Sequence, residues 1–198
     1  MCGISVIYSP EFLDIEKSYH IVKAQLDIMK SRGPDASRII KVDSKLVLGH
    51  NRLAIIGLEP ESDQPMSIED VYHIVFNGEI YNYKKIKNEL ISLGEEFLTS
   101  SDTEVILRGY KNFGADIFSK LKGMFSVIIY DKLKQELIVS RDTFGIKPLY
   151  FHRSHNNIFA FSSSVKALKE TIDSNFSLNK QSKLLFEWFG FIPEPETV

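Results

Sequence analysis

The chain has 198 residues, 43% apolar and 25% charged, with a formal net charge of −2. That is the balance of one globular domain, or one domain with a short tail. It excludes a nucleic-acid binder that works through a broad basic face, and no apolar run approaches the ~20 residues that span a bilayer. The opening MCGISVIYSPEF has no basic leader, and Glu11 and Asp14 follow its apolar stretch. This argues against a signal peptide and makes a cytoplasmic location the expectation.

In chain order, residues 2–8 are apolar and rich in strand formers, which predicts a buried strand. Tyr19, Val22, Leu26 and Met29 recur at helical spacing within 18–30, and Gly33-Pro34-Asp35 stops that helix. Strands are expected over 39–42 and 45–56. Another covers 71–76 and ends at Asn77-Gly78, a strong turn signal. Ile86, Leu90 and Leu93 share one face of a helix over 83–93, with Gly94 as its stop. Ser101-Asp102-Thr103-Glu104 matches a capping box, in which the Ser101 hydroxyl takes a first-turn amide and Glu104 reaches back. That helix runs to about Phe113. Strand pairs are expected over 124–130 with 136–140 and over 149–153 with 158–161. Short helices follow over 165–171 and 179–189. Runs of strands separated by pairs of helices point to a layered α+β fold rather than an alternating βαβ one.

The chain holds one cysteine, so an intramolecular disulfide is impossible and a metal site would need other ligands. A lone Cys is ordinarily a small buried hydrophobe. Cys2 has a different prospect, because removal of Met1 gives it a free α-amino group. Such an amine titrates near ~7.7–8.0 and a free thiol near ~8.5. The amine can therefore take the thiol proton at neutral pH and return it to a leaving amine. Other hydrolytic signatures are missing: there is no G-x-S-x-G elbow, no H-E-x-x-H and no phosphate loop. His20, His50, His73, His152 and His155 show no metal-ligand spacing and read as surface or strand residues, so no metal site is expected.

Eight motifs occur in order: Cys2-Gly3-Ile4, Arg32-Gly33-Pro34-Asp35, Gly49-His50-Asn51-Arg52-Leu53, Gln64-Pro65-Met66, Asn77-Gly78-Glu79-Ile80-Tyr81-Asn82, Ser101-Asp102-Thr103-Glu104, Gly123-Met124-Phe125 and the stretch from Arg141 to Tyr150. Together they closely resemble the N-terminal glutaminase domain of glutamine-hydrolysing asparagine synthetases. These are class II glutamine amidotransferases within the N-terminal nucleophile hydrolases. The resemblance runs over essentially the whole chain and implies a four-layer αββα sandwich. It implies a domain over 1–176, with 177–198 as a linker toward a synthetase region.

The resemblance also implies roles. Cys2 would attack the side-chain amide of L-glutamine, form a thioester and release ammonia. Asn77 (side chain) and Gly78 (backbone N–H) would hold the oxyanion, glycine allowing the backbone to come close to the reacting atom. An Asn-Gly pair standing alone would be a hairpin turn. Arg52 would bind the substrate α-carboxylate with its planar fork. Asp102 would bind the α-ammonium, with Glu79 as a second acceptor. Without a substrate, Arg52 reads as a solvated strand residue and Asp102 as an acid favoured in a first helical turn. Leu53, Ile55 and Ile56 would wall the pocket, the last two through backbone contacts, or be plain core. Arg32 with Asp35, and Arg141 with Asp142, read as architecture.

No cofactor is implied for this domain. ATP and Mg²⁺ would belong to a synthetase region in cis or on a partner chain, and a homodimer is a further possibility. No S-G-G-x-D-S pyrophosphate motif is present. The chain departs from the family pattern at Ala54, Gly57, Thr143 and Ser164, none of them a proposed catalytic group. Two rivals stay open: a non-catalytic glutamine-binding or docking module, and an N-terminal nucleophile amidase acting on another amide.

Overall fold

The computed structural model describes residues 1–172 and 179–192. The expected 176/177 boundary and the Pro193–Val198 end of the expected linker lie outside the described residues. Nine strands are described: β1 Gly3–Tyr8, β2 Ala36–Asp43, β3 Leu46–Arg52, β4 Met66–Ile68, β5 Tyr72–Ile80, β6 Gly123–Asp131, β7 Glu136–Arg141, β8 Tyr150–Arg153 and β9 Phe159–Ser162. The helices are α1 Ile15–Ile28, α2 Tyr83–Ser92, α3 Asp102–Phe113, α4 Ile117–Lys120, α5 Val165–Thr171 and α6 Lys180–Phe189.

The strands form two antiparallel sheets, ordered β2-β3-β1-β9-β8 and β4-β5-β6-β7. Strand periodicity explains the layering. Ile4, Val6 and Tyr8 of β1 point with Leu46 and Leu48 of β3 toward Val75, Ile128 and Tyr130 of the second sheet. Ile7 and Val47 point the other way, onto Val22 and Leu26 of α1 and Ala167 and Leu168 of α5. Ile74, Phe76 and Ile80 turn outward from the second sheet, onto α2 and α3 through Ile86, Leu90, Val105 and Ile106. Three apolar layers thus bind four structural ones, an αββα sandwich with helices on both outer faces. No helix among the described residues is long and apolar enough to cross a membrane.

Several boundaries differ from those expected. Helix α1 begins three residues before Ser18, because the Asp14 carboxylate accepts from Lys17 N–H (3.0 Å) and caps it. Strand β2 begins at Ala36, three residues before Ile39, paired with Arg52 of β3. Strand β3 stops at Arg52, and residues 53–56 are irregular. Beyond them Gly57 has φ +64° and Pro60 opens a 3₁₀ turn. Strand β5 does not end at Asn77-Gly78. It runs on to Ile80, because β6 pairs with it throughout, Asn77 opposite Ser126 and Gly78 opposite Phe125. A turn dipeptide is overridden here by a full-length partner strand. The short β4 and α4 have too few residues to show periodicity. The capping box is half formed. Ser101 Oγ accepts Glu104 N–H (3.3 Å), but Glu104 takes the N–H groups of Leu98 (3.0 Å) and Thr99 (2.7 Å) and pairs with Arg108 (2.7 Å). Its carboxylate secures the incoming loop rather than its own cap.

Candidate active site

Alternation along the strands fixes what gathers at one end of the inter-sheet layer. Cys2 enters β1 in phase with Ile4 and Val6. Arg52 follows Leu48 and His50 on β3, and Asn77 follows Val75 on β5. All three meet where β3 ends and β5 outruns β4. A cavity of about 170 Å³ opens there. Cys2, Arg52, Leu53, Ile55, Ile56, Asn77, Gly78, Glu79 and Asp102 all line it. So do residues that sequence reasoning did not assign, among them Gln64, Thr103 and Lys147. All three lie inside ordered motifs, but nothing in their type or spacing distinguishes a cavity-facing residue from architecture.

Cys2 is half-buried, and its Sγ accepts from Leu53 N–H (3.4 Å) while lying 3.7 Å from Leu53 O. Its carbonyl accepts from Arg32 Nε (3.1 Å). Arg32 therefore anchors the nucleophile rather than merely closing the loop after α1. Asp35 also reaches the site, taking the Ala54 N–H (2.8 Å) and steadying the 53–56 wall. Burial pushes the Cys2 thiol up. The Leu53 N–H and the positive charges of the chain terminus, Arg52 and Lys147 oppose that rise. Met1 lines the same cavity. Its removal would expose the Cys2 amine and clear space beside the thiol in one step.

Asn77 is buried, and its Nδ2 has no acceptor among the described residues. An orphaned amide donor at this depth is costly unless something else accepts from it. The ladder places a second donor beside it. Strand β5 overhangs β4, so alternate N–H groups on its free edge need other partners. Phe76 N–H finds Gln64 Oε1 (2.6 Å) and Ile80 N–H finds Asp102 Oδ2 (3.0 Å). Gly78 lies midway between them, so strand parity turns its N–H to the same edge, into the cavity. Its lack of a Cβ has a structural cause beside the one expected. A Cβ would collide with Met124 O and Phe125 Cα of the neighbouring strand, so glycine is required by the strand pairing.

Arg52 is buried rather than solvated, and it pairs with Asp63 (2.5 Å). It also donates to the carbonyls of Glu59 (3.3 Å), Ile56 (3.4 Å) and Gly57, fastening the loop from 53 to 63 around itself. Asp102 opens α3 and is 5% exposed. Burial pushes its carboxyl up to about 6, and the Glu79 charge adds to the rise, against the N–H groups of Ile80 and the first helical turn. His50 is fully buried, and its Nε2 lies 3.0 Å from Phe76 O. That carbonyl can only accept, so Nε2 carries the proton. Burial lowers this imidazole to about 4, which leaves it neutral and locked between the sheets. Arg141 and Asp142 do not pair with each other. Arg141 donates to Lys147 O (2.6 Å) and Gly145 O, while Asp142 accepts from Phe125 (3.1 Å), Ile146 (2.9 Å) and Lys147 (3.1 Å) N–H groups. Together they fold the 141–147 turn against β6.

A sequence profile described as a glutamine amidotransferase domain matches residues 1–198, the entire chain. The chain belongs to the glutamine amidotransferase family. The amidotransferase domain is 36% identical over 200 residues to asparagine synthetase [glutamine-hydrolyzing] 1 of Bacillus subtilis, covering all of this chain and 31% of that protein. It is 37% identical over 223 residues to a putative asparagine synthetase [glutamine-hydrolyzing] 2 of Methanocaldococcus jannaschii, covering all of this chain and 41% of that one. The domain thus spans well under half the length of these two relatives. Among solved structures, the glutamine phosphoribosylpyrophosphate amidotransferase of B. subtilis superposes with a TM-score of 0.68 at 22% identity. The match covers 85% of this chain and 43% of that one. That likeness shows the shared N-terminal nucleophile hydrolase fold.

Proposed function

We propose that the domain hydrolyses the side-chain amide of L-glutamine to glutamate and ammonia through a thioester on Cys2. The observation that carries this reading is the convergence in one cavity of the Cys2 sulfur, the unpartnered Asn77 Nδ2 and the free-edge N–H of Gly78. A nucleophile and two fixed donors are what acyl transfer from an amide requires. The sulfur attacks the amide carbon, and the carbonyl electrons move onto oxygen, where Asn77 and Gly78 receive them. The Cys2 amine, freed by loss of Met1, takes the thiol proton and returns it to the departing nitrogen as the C–N bond breaks. Water, deprotonated by the same amine, then cleaves the thioester to glutamate. His50 does not replace that amine as base: it does not line the cavity, and burial lowers its imidazole to about 4, which makes it a weak proton acceptor.

The two charged ends of glutamine need partners. Asp102 and Glu79 suit the α-ammonium and Arg52 the α-carboxylate. Arg52 already spends four N–H groups on protein oxygens, so a two-pronged grip requires it to release its longest contacts, those to Glu59 O and Ile56 O. In this reading the ammonia passes to an ATP- and Mg²⁺-dependent synthetase region of the kind that relatives carry, in cis or on a partner chain. The test pairs intact mass with a glutamine-to-glutamate assay. Protein lacking Met1 should release glutamate, whereas protein keeping Met1 behind an uncleaved tag should stay folded and inactive. Full activity in tagged protein of confirmed mass would remove the Cys2 amine from the mechanism. No activity in the trimmed protein would favour a binding module instead.

A further inference from the structure

Lys147 is 8% exposed and lines the cavity that holds Cys2. Its backbone is pinned on both sides, the N–H by Asp142 (3.1 Å) and the carbonyl by Arg141 (2.6 Å). Its Nζ meets no acceptor among the described residues. A buried cation without a paired carboxylate is costly, and an anion formed in the same cavity offsets that cost. The other charges around the sulfur are accounted for differently. Arg52 is matched by Asp63, and Arg32 is hydrogen-bonded to the Cys2 carbonyl beside Tyr150. The chain-terminal amine is the proposed proton carrier. Glu79 on β5 and Asp102 at the start of α3 are carboxylates that disfavour an anion nearby. Lys147 is left as the uncommitted positive charge.

We infer that Lys147 is a charge that favours the anionic form of the Cys2 sulfur in this cavity, a positioning residue that acts through Cys2 and does not touch glutamine. This rests on Cys2 as the nucleophile but not on glutamine as the substrate. Burial disfavours the thiolate, and Lys147 opposes it together with the chain terminus and Arg52. The turn from Arg141 to Lys147, which reads as architecture from sequence, then has a purpose in the chemistry: it delivers one ammonium to a fixed place.

The experiment is the pH dependence of Cys2 alkylation by iodoacetamide, a small neutral reagent whose carbon bonds to the thiolate as iodide is released. It uses protein of confirmed mass lacking Met1. Lys147→Met and Lys147→Gln should move the alkylation midpoint up by about one pH unit, slowing labelling at neutral pH about tenfold. Lys147→Arg should return the curve to that of the wild type. In the glutaminase assay kcat should fall with KM nearly unchanged. Should the Met variant fail to fold, the polar Gln variant carries the test. Superimposable alkylation curves for wild type and the neutral variants would overturn the inference, as would an Arg variant that behaves like them. A raised KM with unchanged alkylation would also overturn it and make Lys147 a substrate contact. A trimmed wild-type protein that hydrolyses no glutamine, yet shows the alkylation shift, would leave this inference standing and sink the glutaminase reading.

Discussion

Asn77 and Asp102 are both buried polar residues at the cavity, and they should respond to mutation in opposite ways. The Asn77 Nδ2 has no partner in the resting protein, so a ligand oxygen that becomes more negative during reaction gains most from it. Asn77→Ala should lower kcat by about 10²–10³ with a much smaller change in KM. A change confined to KM, measured in steady-state glutaminase assays, would place Asn77 in ground-state binding. In the proposed reading Asp102 faces the substrate ammonium, whose charge does not change in hydrolysis. Its carboxyl, raised to about 6 by burial, must be ionised to hold an ammonium. Above that pH the charge is present, and below it the charge is lost as the proton returns. KM for glutamine should therefore rise as pH falls through about 6, approaching tenfold per unit, and Asp102→Asn should flatten that dependence at a high KM. An acid whose folded pKa exceeds its ordinary value of 3.8 favours the folded state while protonated and costs stability once ionised at neutral pH. Asp102→Asn should accordingly raise Tm at neutral pH, and a fall in Tm there would show that the carboxylate is structural.

Strand β5 carries the donors, and its length is set by its neighbours more than by its own composition. Asn77-Gly78 has turn chemistry, yet β6 pairs across both residues, and the side chains of Gln64 and Asp102 hold the free edge to either side of Gly78. The register leaves no room for a side chain at Gly78. Gly78→Ala should separate β5 from β6 locally and cost about 1–3 kcal/mol in denaturant unfolding. It should also lower kcat, because Asn77 rides on the same strand. Unchanged stability would mean that β6 can yield at Met124 and Phe125. Helix α3 shows the reverse relation. Its start was legible in Ser101 and Asp102, because capping is a local interaction of a few residues. The partner of Glu104 was not, because Leu98 and Thr99 reach it through a loop whose path only the packed structure defines.

Across the whole molecule, two sheets with helices on both outer faces leave one edge of the inter-sheet layer open, and the cavity lies there. Ordered motifs and hydrophobic periodicity were enough to identify the family and the layered fold and to name Cys2, Asn77, Gly78, Arg52 and Asp102 as candidates, because each depends on residue type and on order along the chain; the fold brings these five to one cavity. Only the tertiary structure decided what each group is bonded to. Arg32 and Asp35 reach Cys2 and Ala54 across tens of residues, Arg52 is paired with Asp63, and Lys147 lines the cavity of the sulfur with no counter-ion among the described residues. The reason is physical. Periodicity reports which side of an element faces inward, a property of neighbours in sequence. Partnership and desolvation depend on which elements close over a side chain, and these come from β1, β3, β5, α3 and the 141–147 turn, separated along the chain and joined only by folding.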